Sequence, residues 1–196
     1  MRRYCIQSIL YLLRGLRLFG IGSGYNGRSR QEKNPLSTPF STIREVLSSP
    51  VLDDQNSDIQ FVDVGCADGA LIFYLALSRH WTVHGIDVQP FYIHCIGYLK
   101  QLFFVSKLTA TVMDAALDLP KKADMYYLAW TTWAESTRAR VAKQIETAIH
   151  HQSIVISVTF PIHCSKLDLI DQRNCRFPWG TTTVYYYKQH DSIITT

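Results

Sequence analysis

Paired cysteines and the residue spacings of a metal site are missing from this chain of 196 residues. Its five cysteines form no Cys-x-x-Cys pair and no short-chain disulfide framework, so we expect free thiols in a reducing, intracellular compartment. The neighbours His94-Cys95 and His163-Cys164 do not suit a metal, because adjacent residues on a strand point to opposite faces and the zinc spacings are absent. We therefore predict no metal site.

Acidic residues are missing before Glu32, whereas six arginines precede it. The uncharged run at 4–13 is too short to cross a bilayer, which takes about 20 apolar residues. Apolar side chains at helical spacing in this segment are Ile9, Leu12, Leu13, Leu16 and Phe19. Three interpretations stay open: a transit-type presequence, an interfacial amphipathic helix, and an added helix that packs on the domain. We expect residues 1–22 to address or tether the protein, which makes mitochondrial or membrane association an expectation.

The rest of the chain has little net charge and is too short for two ordinary domains. Residues 20–39 are rich in Gly, Asn, Ser and Arg, which is typical of a linker. We therefore divide the chain into a basic amphipathic segment with its linker, 1–39, and one domain, 40–196. The balanced charge of the domain predicts no nucleic-acid surface. The sequence indicates no oligomeric state.

Strand and helix patterns alternate along the domain. Strands are predicted at 58–65, 81–88, 107–115, 123–130 and 152–160, with helices between them at 69–80, 91–104 and 134–150. Residues 174–189 indicate two strands around a Pro178-Trp179-Gly180 turn. The alternation predicts a mostly parallel α/β sheet with helices on both faces, which ends in an antiparallel hairpin.

A glycine loop, "DVGCADG" at 63–69, follows the first predicted strand, yet the dinucleotide fingerprint Gly-x-Gly-x-x-Gly is missing. Ligands of open α/β sheets bind outside the carboxyl ends of the strands, so this loop is a candidate binding site. Gly65 and Gly69 can supply backbone freedom and close approach. Asp63 and Asp68 would repel the pyrophosphate that a helix N-terminus attracts. A ligand with an ammonium group and a ribose fits better.

Two further carboxylates follow later strands. Asp87 lies about 20 residues after the loop, where a carboxylate can accept hydrogen bonds from both ribose hydroxyls. Asp114 comes just past the third strand and can accept a bond from an adenine amino group beside the apolar Val88 and Met113. Together these positions predict a site for an adenosine at one end and an amino acid at the other.

The stretches "VDVGCADG", "GIDV" and "VMDAA" resemble, in order and spacing, the cofactor motifs of class I S-adenosylmethionine-dependent methyltransferases. The resemblance covers 40–188 and implies a Rossmann-like, seven-stranded sheet with S-adenosyl-L-methionine as cofactor. It implies that Gly65, Cys66 and Gly69 lie against the methionine part, that Asp87 binds ribose and that Asp114 meets adenine. Ala67 departs from the family, which usually has glycine there. The predicted cofactor-binding residues are Asp63, Gly65, Cys66, Ala67, Asp68, Gly69, Asp87, Val88, Met113 and Asp114.

The Asn/Asp-Pro-Pro-Tyr box, which grips a planar amide or base nitrogen, is missing after the fourth strand. Methylation of glutamine, adenine or cytosine is therefore disfavoured. The segment "YLAWTTWAES" instead offers Tyr127, Trp130 and Trp133, which can wall a channel for a lysine stem and offer its amine a cation–π partner. Trp130 and the nearby carboxylate Glu135 are the predicted catalytic residues. The alternative is that these aromatics pack against the following helix, which is favoured for Tyr126 and Tyr127.

A second resemblance concerns the substrate. "TPFSTIREVL", the glycine loop and the terminal "PWGTTTVYYYKQ" strand are similar to small lysine methyltransferases of the mitochondrial ATP synthase c-subunit type and their prokaryotic relatives. The resemblance implies N-methylation of a lysine in a protein substrate, although "AWTTWAES" does not align with their substrate loop. Two alternatives stay open: a small-molecule methyltransferase, and an inactive methyltransferase-like binding protein.

Overall fold

The computed structural model describes residues 38–52, 58–79 and 81–190. Predictions about residues 1–37, the N-terminal segment among them, lie outside the described residues. The helices are α1 (Phe40–Val46), α2 (Ala70–Ser78), α3 (Pro90–Leu102) and α4 (Glu135–Ala148), with a short 3-10 turn at Pro50–Leu52. No helix in the described part of the chain is both long enough and apolar enough to cross a membrane.

Seven strands form one sheet in the order β3-β2-β1-β4-β5-β7-β6. They are β1 (Gln60–Val64), β2 (Thr82–Asp87), β3 (Leu108–Val112), β4 (Met125–Leu128), β5 (Ile154–Val158), β6 (Leu167–Phe177) and β7 (Gly180–Gln189). Strands β1 to β5 run parallel, whereas β7 lies antiparallel to both β5 and β6. The predicted mostly parallel α/β sheet with a terminal antiparallel hairpin is confirmed.

Helices cover both faces of this sheet because successive strand residues point to opposite sides. In β1, Phe61 points into a core shared with α1, α2 and α3, whereas Val62 and Val64 point into a second core shared with α4. In β4, Tyr127 joins the first core and Tyr126 the second. Strands buried on both faces explain the nearly unbroken apolar runs in the sequence.

The hairpin is longer than the sequence indicates. Strand β6 begins at Leu167, whereas the apolar pattern predicts a strand only from 174 onward. The extension is mostly exposed and lies at the edge of the sheet, with an irregularity between Leu169 and Asp171. An exposed edge strand needs no apolar alternation, so it leaves little signal in the sequence.

Candidate functional site

One cleft lies at the carboxyl ends of β1, β2, β3 and β4, where the parallel strands deliver their following loops to the same edge of the sheet. Nine of the ten predicted cofactor-binding residues line it. The exception is Gly69, which directly precedes α2 and faces the side chains of Ile96 and Ile72. Positions separated by as many as 51 residues, from Asp63 to Asp114, therefore share one site.

The glycine loop is fastened to the end of β2 by backbone hydrogen bonds. The N–H groups of Gly65 and Cys66 both donate to the Ile86 carbonyl, at 2.8 and 2.9 Å. The Ala67 N–H donates to Oδ2 of Asp87 at 2.9 Å. The first and second motifs are thus held together before any ligand enters, which fixes the shape of the loop.

Left-handed backbone occurs at three loop positions: Gly65 (φ +83°), Ala67 (φ +46°) and Gly69 (φ +78°). A Cβ on Gly65 would lie 2.7 Å from the Trp133 ring, and a Cβ on Gly69 would lie 2.7 Å from the Ile96 side chain. Both glycines adopt backbone that favours glycine, and a side chain at either would be blocked. The close approach is to side chains of the protein itself. Ala67 adopts the same backbone region with a Cβ, which is costly for an L-residue.

Carboxylates from three strand ends line one end of the cleft. We call Asp63, Asp68, Asp87 and Asp114 the carboxylate end. Asp87 accepts backbone bonds at both oxygens, from Ala67 and from the Gln89 N–H at 2.8 Å. Each carboxylate oxygen has a second lone pair, so these bonds orient the group and leave acceptor capacity for a ligand hydroxyl.

Asp68 and Asp114 are oriented in a similar way. Asp68 accepts a bond from the Ala70 N–H at 3.2 Å, at the start of α2. Asp114 accepts one from the Ala116 N–H at 2.9 Å, and the Met113 N–H donates to the Asp87 carbonyl at 2.9 Å. The third motif is thereby tied to the second, so the cleft wall from the loop to Asp114 is continuous.

Asp63 differs from its neighbours because it is only 4% exposed and its carboxylate accepts no hydrogen bond from any described residue. Burial raises the pKa of its carboxyl well above the usual range, and the charges of Asp87 and Asp68 raise it further. A bound cation would favour the ionised form of this group. The carboxylate end is therefore matched to a ligand that brings positive charge.

Cys66 is buried in the same wall. Burial, followed by the charges of the neighbouring carboxylates, raises the pKa of its thiol well above the usual value. A thiol held in its neutral form is a poor nucleophile. Cys66 therefore contributes shape to the cleft.

The other end of the cleft is formed by the segment after β4 and the start of α4. We call Thr132, Trp133 and Thr137 the tryptophan end. Arg138 donates from Nη1 to the Trp133 carbonyl and stacks its guanidinium over the Phe160 ring, 3.8 Å from the ring centroid. The Trp133 ring lies across Gly65, so the two ends of the cleft meet at the glycine loop.

The two predicted catalytic residues do not line the cleft. Trp130 is 1% exposed and packs in the second core with its ring edge-to-face against Trp133 at 6.3 Å. Glu135 is exposed at the first position of α4. The turn after β4 directs the Trp130 side chain into the core and the Trp133 side chain into the cleft. The spacing of the aromatic residues in the sequence does not show which tryptophan takes which position. The wall residue is therefore Trp133.

The tyrosines of β4 also divide between the two faces. Tyr126 packs near α4, and its hydroxyl donates to the carbonyl groups of Pro120 and Ala148 at 2.7 and 3.1 Å. This agrees with the expected packing role. Tyr127 points to the opposite side, lines the cleft and exchanges a 3.3 Å hydrogen bond with the Thr38 hydroxyl. The expectation that it packs against the following helix is wrong, because alternate strand residues face opposite sides.

Sequence reasoning missed several residues of the cleft. Thr38 and Tyr92 line it from the segment before α1 and from the first turn of α3, and Thr132 and Thr137 from the segment that follows β4. Only Tyr92 carries a usable signal, since it lies in the first turn of the helix that begins three residues after Asp87. Among residues 38–52, 58–79 and 81–190, no group of three or more His, Cys, Asp or Glu could hold a metal ion.

The fold defines a class: it is the Rossmann-like, seven-stranded fold of S-adenosylmethionine-dependent methyltransferases. A TehB-like SAM-dependent methyltransferase from Corynebacterium glutamicum aligns with 94% of this chain and 98% of its own at 16% identity, with a TM-score of 0.57. TrmN from Thermus thermophilus aligns with 76% of this chain at 11% identity and a TM-score of 0.59. The O-methyltransferase NcsB1, in complex with S-adenosylmethionine and a naphthoic acid, aligns with 67% at 13% identity and a TM-score of 0.54.

The chain spans about half the length of two of these proteins, 47% of TrmN and 49% of NcsB1. No protein-family model and no curated protein matches the sequence significantly. At these identities the likeness establishes the fold, and the chemistry must be argued from the cleft itself.

Proposed function

We propose that this protein is an S-adenosylmethionine-dependent methyltransferase. The observation that carries the proposal is the convergence of Asp63, Asp87 and Asp114 on one cleft beside a left-handed glycine loop. A phosphate-bearing dinucleotide would meet these carboxylates as like charges, whereas a sulfonium and an ammonium would meet them as counter-charges. NcsB1, which shares the fold, is in complex with S-adenosylmethionine, and this supports the same choice.

The residues of the cleft fit this cofactor. Asp87 would accept the ribose hydroxyls, and Asp114 would accept the adenine amino group between Val88 and Met113. The buried Asp63 carboxyl and the loop from Gly65 to Asp68 would hold the amino-acid part. None of the described residues that line the cleft is Lys, Arg or His, so none of these side chains competes with a cationic ligand for the carboxylates.

When bound, the cofactor supplies an electrophilic methyl group on a sulfonium. The contribution of the chain is to align donor and acceptor at near-attack distance and to exclude water. Trp133 is placed for both tasks, because its ring lies against Gly65 at the junction of the two ends of the cleft. Glu135 is exposed on the outside of α4, so we assign it no role in proton transfer.

For the acceptor we propose a lysine amine of a protein substrate. The proposal is supported by the aromatic wall at Trp133 and by the acidic, cation-free lining, which together favour an amine over a carboxylate or a phosphate. A poorly hydrated aromatic environment also lowers the pKa of an amine, which helps the nucleophile lose its proton. A small-molecule acceptor is the competing candidate, because NcsB1 binds a naphthoic acid on the same fold.

Calorimetric titration with S-adenosylmethionine tests the cofactor assignment. Wild-type protein should bind it, and Asp87→Ala should lower the affinity at least about 100-fold, since two charge-assisted bonds at about 1.5–3 kcal/mol each are lost. The matched control is Asp118→Asn, an exposed acid next to the third motif, which should leave affinity unchanged. Equal affinity of wild type and Asp87→Ala would contradict the assignment.

Transfer of a labelled methyl group to fractionated lysate, followed by mass spectrometry of the product, tests the acceptor. Methyl-lysine in a protein is the expected product. Label found only on a carboxylate, a hydroxyl or a small molecule would defeat the lysine proposal and leave cofactor binding intact. Binding without any transfer would favour an inactive binding protein.

A further inference from the structure

Two hydroxyl groups meet in the wall of the cleft beside Asp63. Tyr127 in β4 is the register partner of Asp63 in β1, and residues paired in this way in parallel strands point to the same face of the sheet. The Tyr127 hydroxyl shares a 3.3 Å hydrogen bond with the Thr38 hydroxyl, and both residues line the cleft. Thr38 is 9% exposed and Tyr127 is 3% exposed, so water has little access to either. We call these two residues the hydroxyl pair.

The hydroxyl pair has one hydrogen-bond donor to spare. Each hydroxyl carries one proton, and the bond between the two oxygens uses only one of the two. No other hydrogen bond joins either hydroxyl to a described residue. Burial raises the pKa of the Tyr127 hydroxyl, so this group keeps its proton at neutral pH. Whichever oxygen donates within the pair, the other retains a proton, and buried polar groups are normally paired.

The glycine loop has few donors left for a negatively charged group. Five N–H groups of the loop and of the first residue of α2 already donate to acceptors of the protein itself: those of Gly65, Cys66, Ala67, Gly69 and Ala70. None of the described residues that line the cleft is Lys, Arg or His. A carboxylate that enters this part of the cleft would therefore need an uncharged donor, because a buried charge without a partner is costly.

The cofactor of the proposed function brings such a carboxylate. S-adenosylmethionine carries its ammonium and its carboxylate on the same carbon atom, so a site that holds the ammonium near Asp63 receives the carboxylate at the same place. Asp63 attracts the first group and repels the second. The ribose and the adenine are assigned to Asp87 and Asp114, at the ends of the next two strands. The carboxylate is therefore the acceptor of the cofactor that is left for the hydroxyl pair.

We propose that the hydroxyl pair, Thr38 and Tyr127, donates a hydrogen bond to the amino-acid carboxylate of S-adenosylmethionine. The inference rests on the proposed function and adds to it the residues that recognise this end of the cofactor. Asp63 takes the ammonium and the hydroxyl pair takes the carboxylate, so the two together select a ligand that carries both groups. The hydroxyls bind and orient the cofactor, and no proton is transferred.

Calorimetric titration of the full chain with two ligands tests this assignment. The first ligand is S-adenosylmethionine, and the second is its decarboxylated form, which keeps the adenosine, the sulfonium and the ammonium. The variant combines Thr38→Val with Tyr127→Phe, which removes both hydroxyls and therefore leaves neither one buried without a partner. We expect the affinity for S-adenosylmethionine to fall at least about tenfold, because a hydrogen bond to a charged group is lost. The affinity for the decarboxylated form should change less than about twofold.

The matched control is Tyr186→Phe, which removes another buried tyrosine hydroxyl from the same core. That hydroxyl donates to the Val46 carbonyl at 2.7 Å, and Tyr186 does not line the cleft, so both affinities should stay unchanged.

Three results would overturn the inference. Equal losses for the two ligands in the double variant would show that the hydroxyls only shape the cleft. Unchanged binding of S-adenosylmethionine with reduced methyl transfer would assign the pair to the methyl acceptor. Both results would leave the proposed function intact, whereas a wild-type protein that does not bind S-adenosylmethionine would overturn the proposed function and the inference together.

Discussion

The two ends of the cleft differ in how they are built. In the carboxylate end, Asp87 ends β2, and Asp68 and Asp114 lie in the loops after β1 and β3. Backbone N–H groups of these loops orient all three, whereas Asp63 lies within β1. The tryptophan end comes from one longer segment between β4 and α4, and its shape depends on which of two tryptophans turns inward. The local geometry of the strand ends and their loops therefore determines the carboxylate end, whereas packing in the core determines the tryptophan end.

The same contrast separates binding from specificity. The carboxylate end offers charges and acceptors suited to a cofactor that many related folds share. The tryptophan end offers a wall whose composition proteins of the same fold need not share. Substitutions at the two ends should therefore fail in different ways, and four experiments test whether they do.

The largest effect is expected from Trp130→Ala. Removal of a fully buried indole should cost about 3–5 kcal/mol of unfolding free energy, measured by denaturant titration. Trp130→Phe should cost much less, because it keeps most of the ring and removes an indole N–H that has no partner among the described residues. If the Trp130→Ala protein kept its stability and lost methyl transfer, the result would indicate that Trp130 lines the cleft.

Asp63→Asn should separate stability from binding. The folded state raises the pKa of this carboxyl above its unfolded value, so its stabilising contribution is complete below about pH 4 and is lost as pH rises through the folded pKa. The variant should therefore gain stability relative to wild type as pH rises toward neutral, by about 1–3 kcal/mol. It should also bind S-adenosylmethionine more weakly. Urea titrations and calorimetry across pH check both results, and a gain that shrinks as pH rises would refute the argument.

Trp133→Ala should damage transfer more than binding. Loss of the wall removes a cation–π partner worth about 0.5–2 kcal/mol and admits water, so we expect transfer to fall at least about tenfold while cofactor affinity changes only a few-fold. Single-turnover kinetics and calorimetry measure the two effects. If affinity falls as much as transfer does, Trp133 serves mainly to shape the glycine loop that it touches.

The smallest effect is expected from Ala67→Gly. Glycine removes the left-handed penalty of about 1–2 kcal/mol but adds freedom to the unfolded chain worth about 0.5–1 kcal/mol. We expect a gain of roughly 0.5–1 kcal/mol and an unchanged cofactor affinity. The control, Ala142→Gly within α4, should cost about 1 kcal/mol. Thermal unfolding measures both, and a loss of stability in Ala67→Gly would show that the Ala67 Cβ packs favourably.

Much of the fold could be predicted because its signals are local. Parallel strands buried on both faces leave unbroken apolar runs, and the helices between them begin and end near the predicted residues. The extension of β6 at 167–173 could not be predicted, since an exposed edge strand carries no apolar alternation. The prediction that Trp130 lines the cleft was wrong for a different reason. The sequence after a strand does not show whether an aromatic side chain enters the core or a cleft.

The sequence by itself determined the order of the elements, the left-handed glycine loop and the three carboxylates after three strands, because each depends on residues a few positions apart. Only the tertiary structure decided that Trp133 lies against Gly65, that Trp130 is core, that Thr38 reaches Tyr127 and that Asp63 is buried without a partner. Those relations join residues that the parallel sheet brings together from distant positions. The length and direction of each connection between strands determine these contacts, and no local sequence pattern indicates that length or direction.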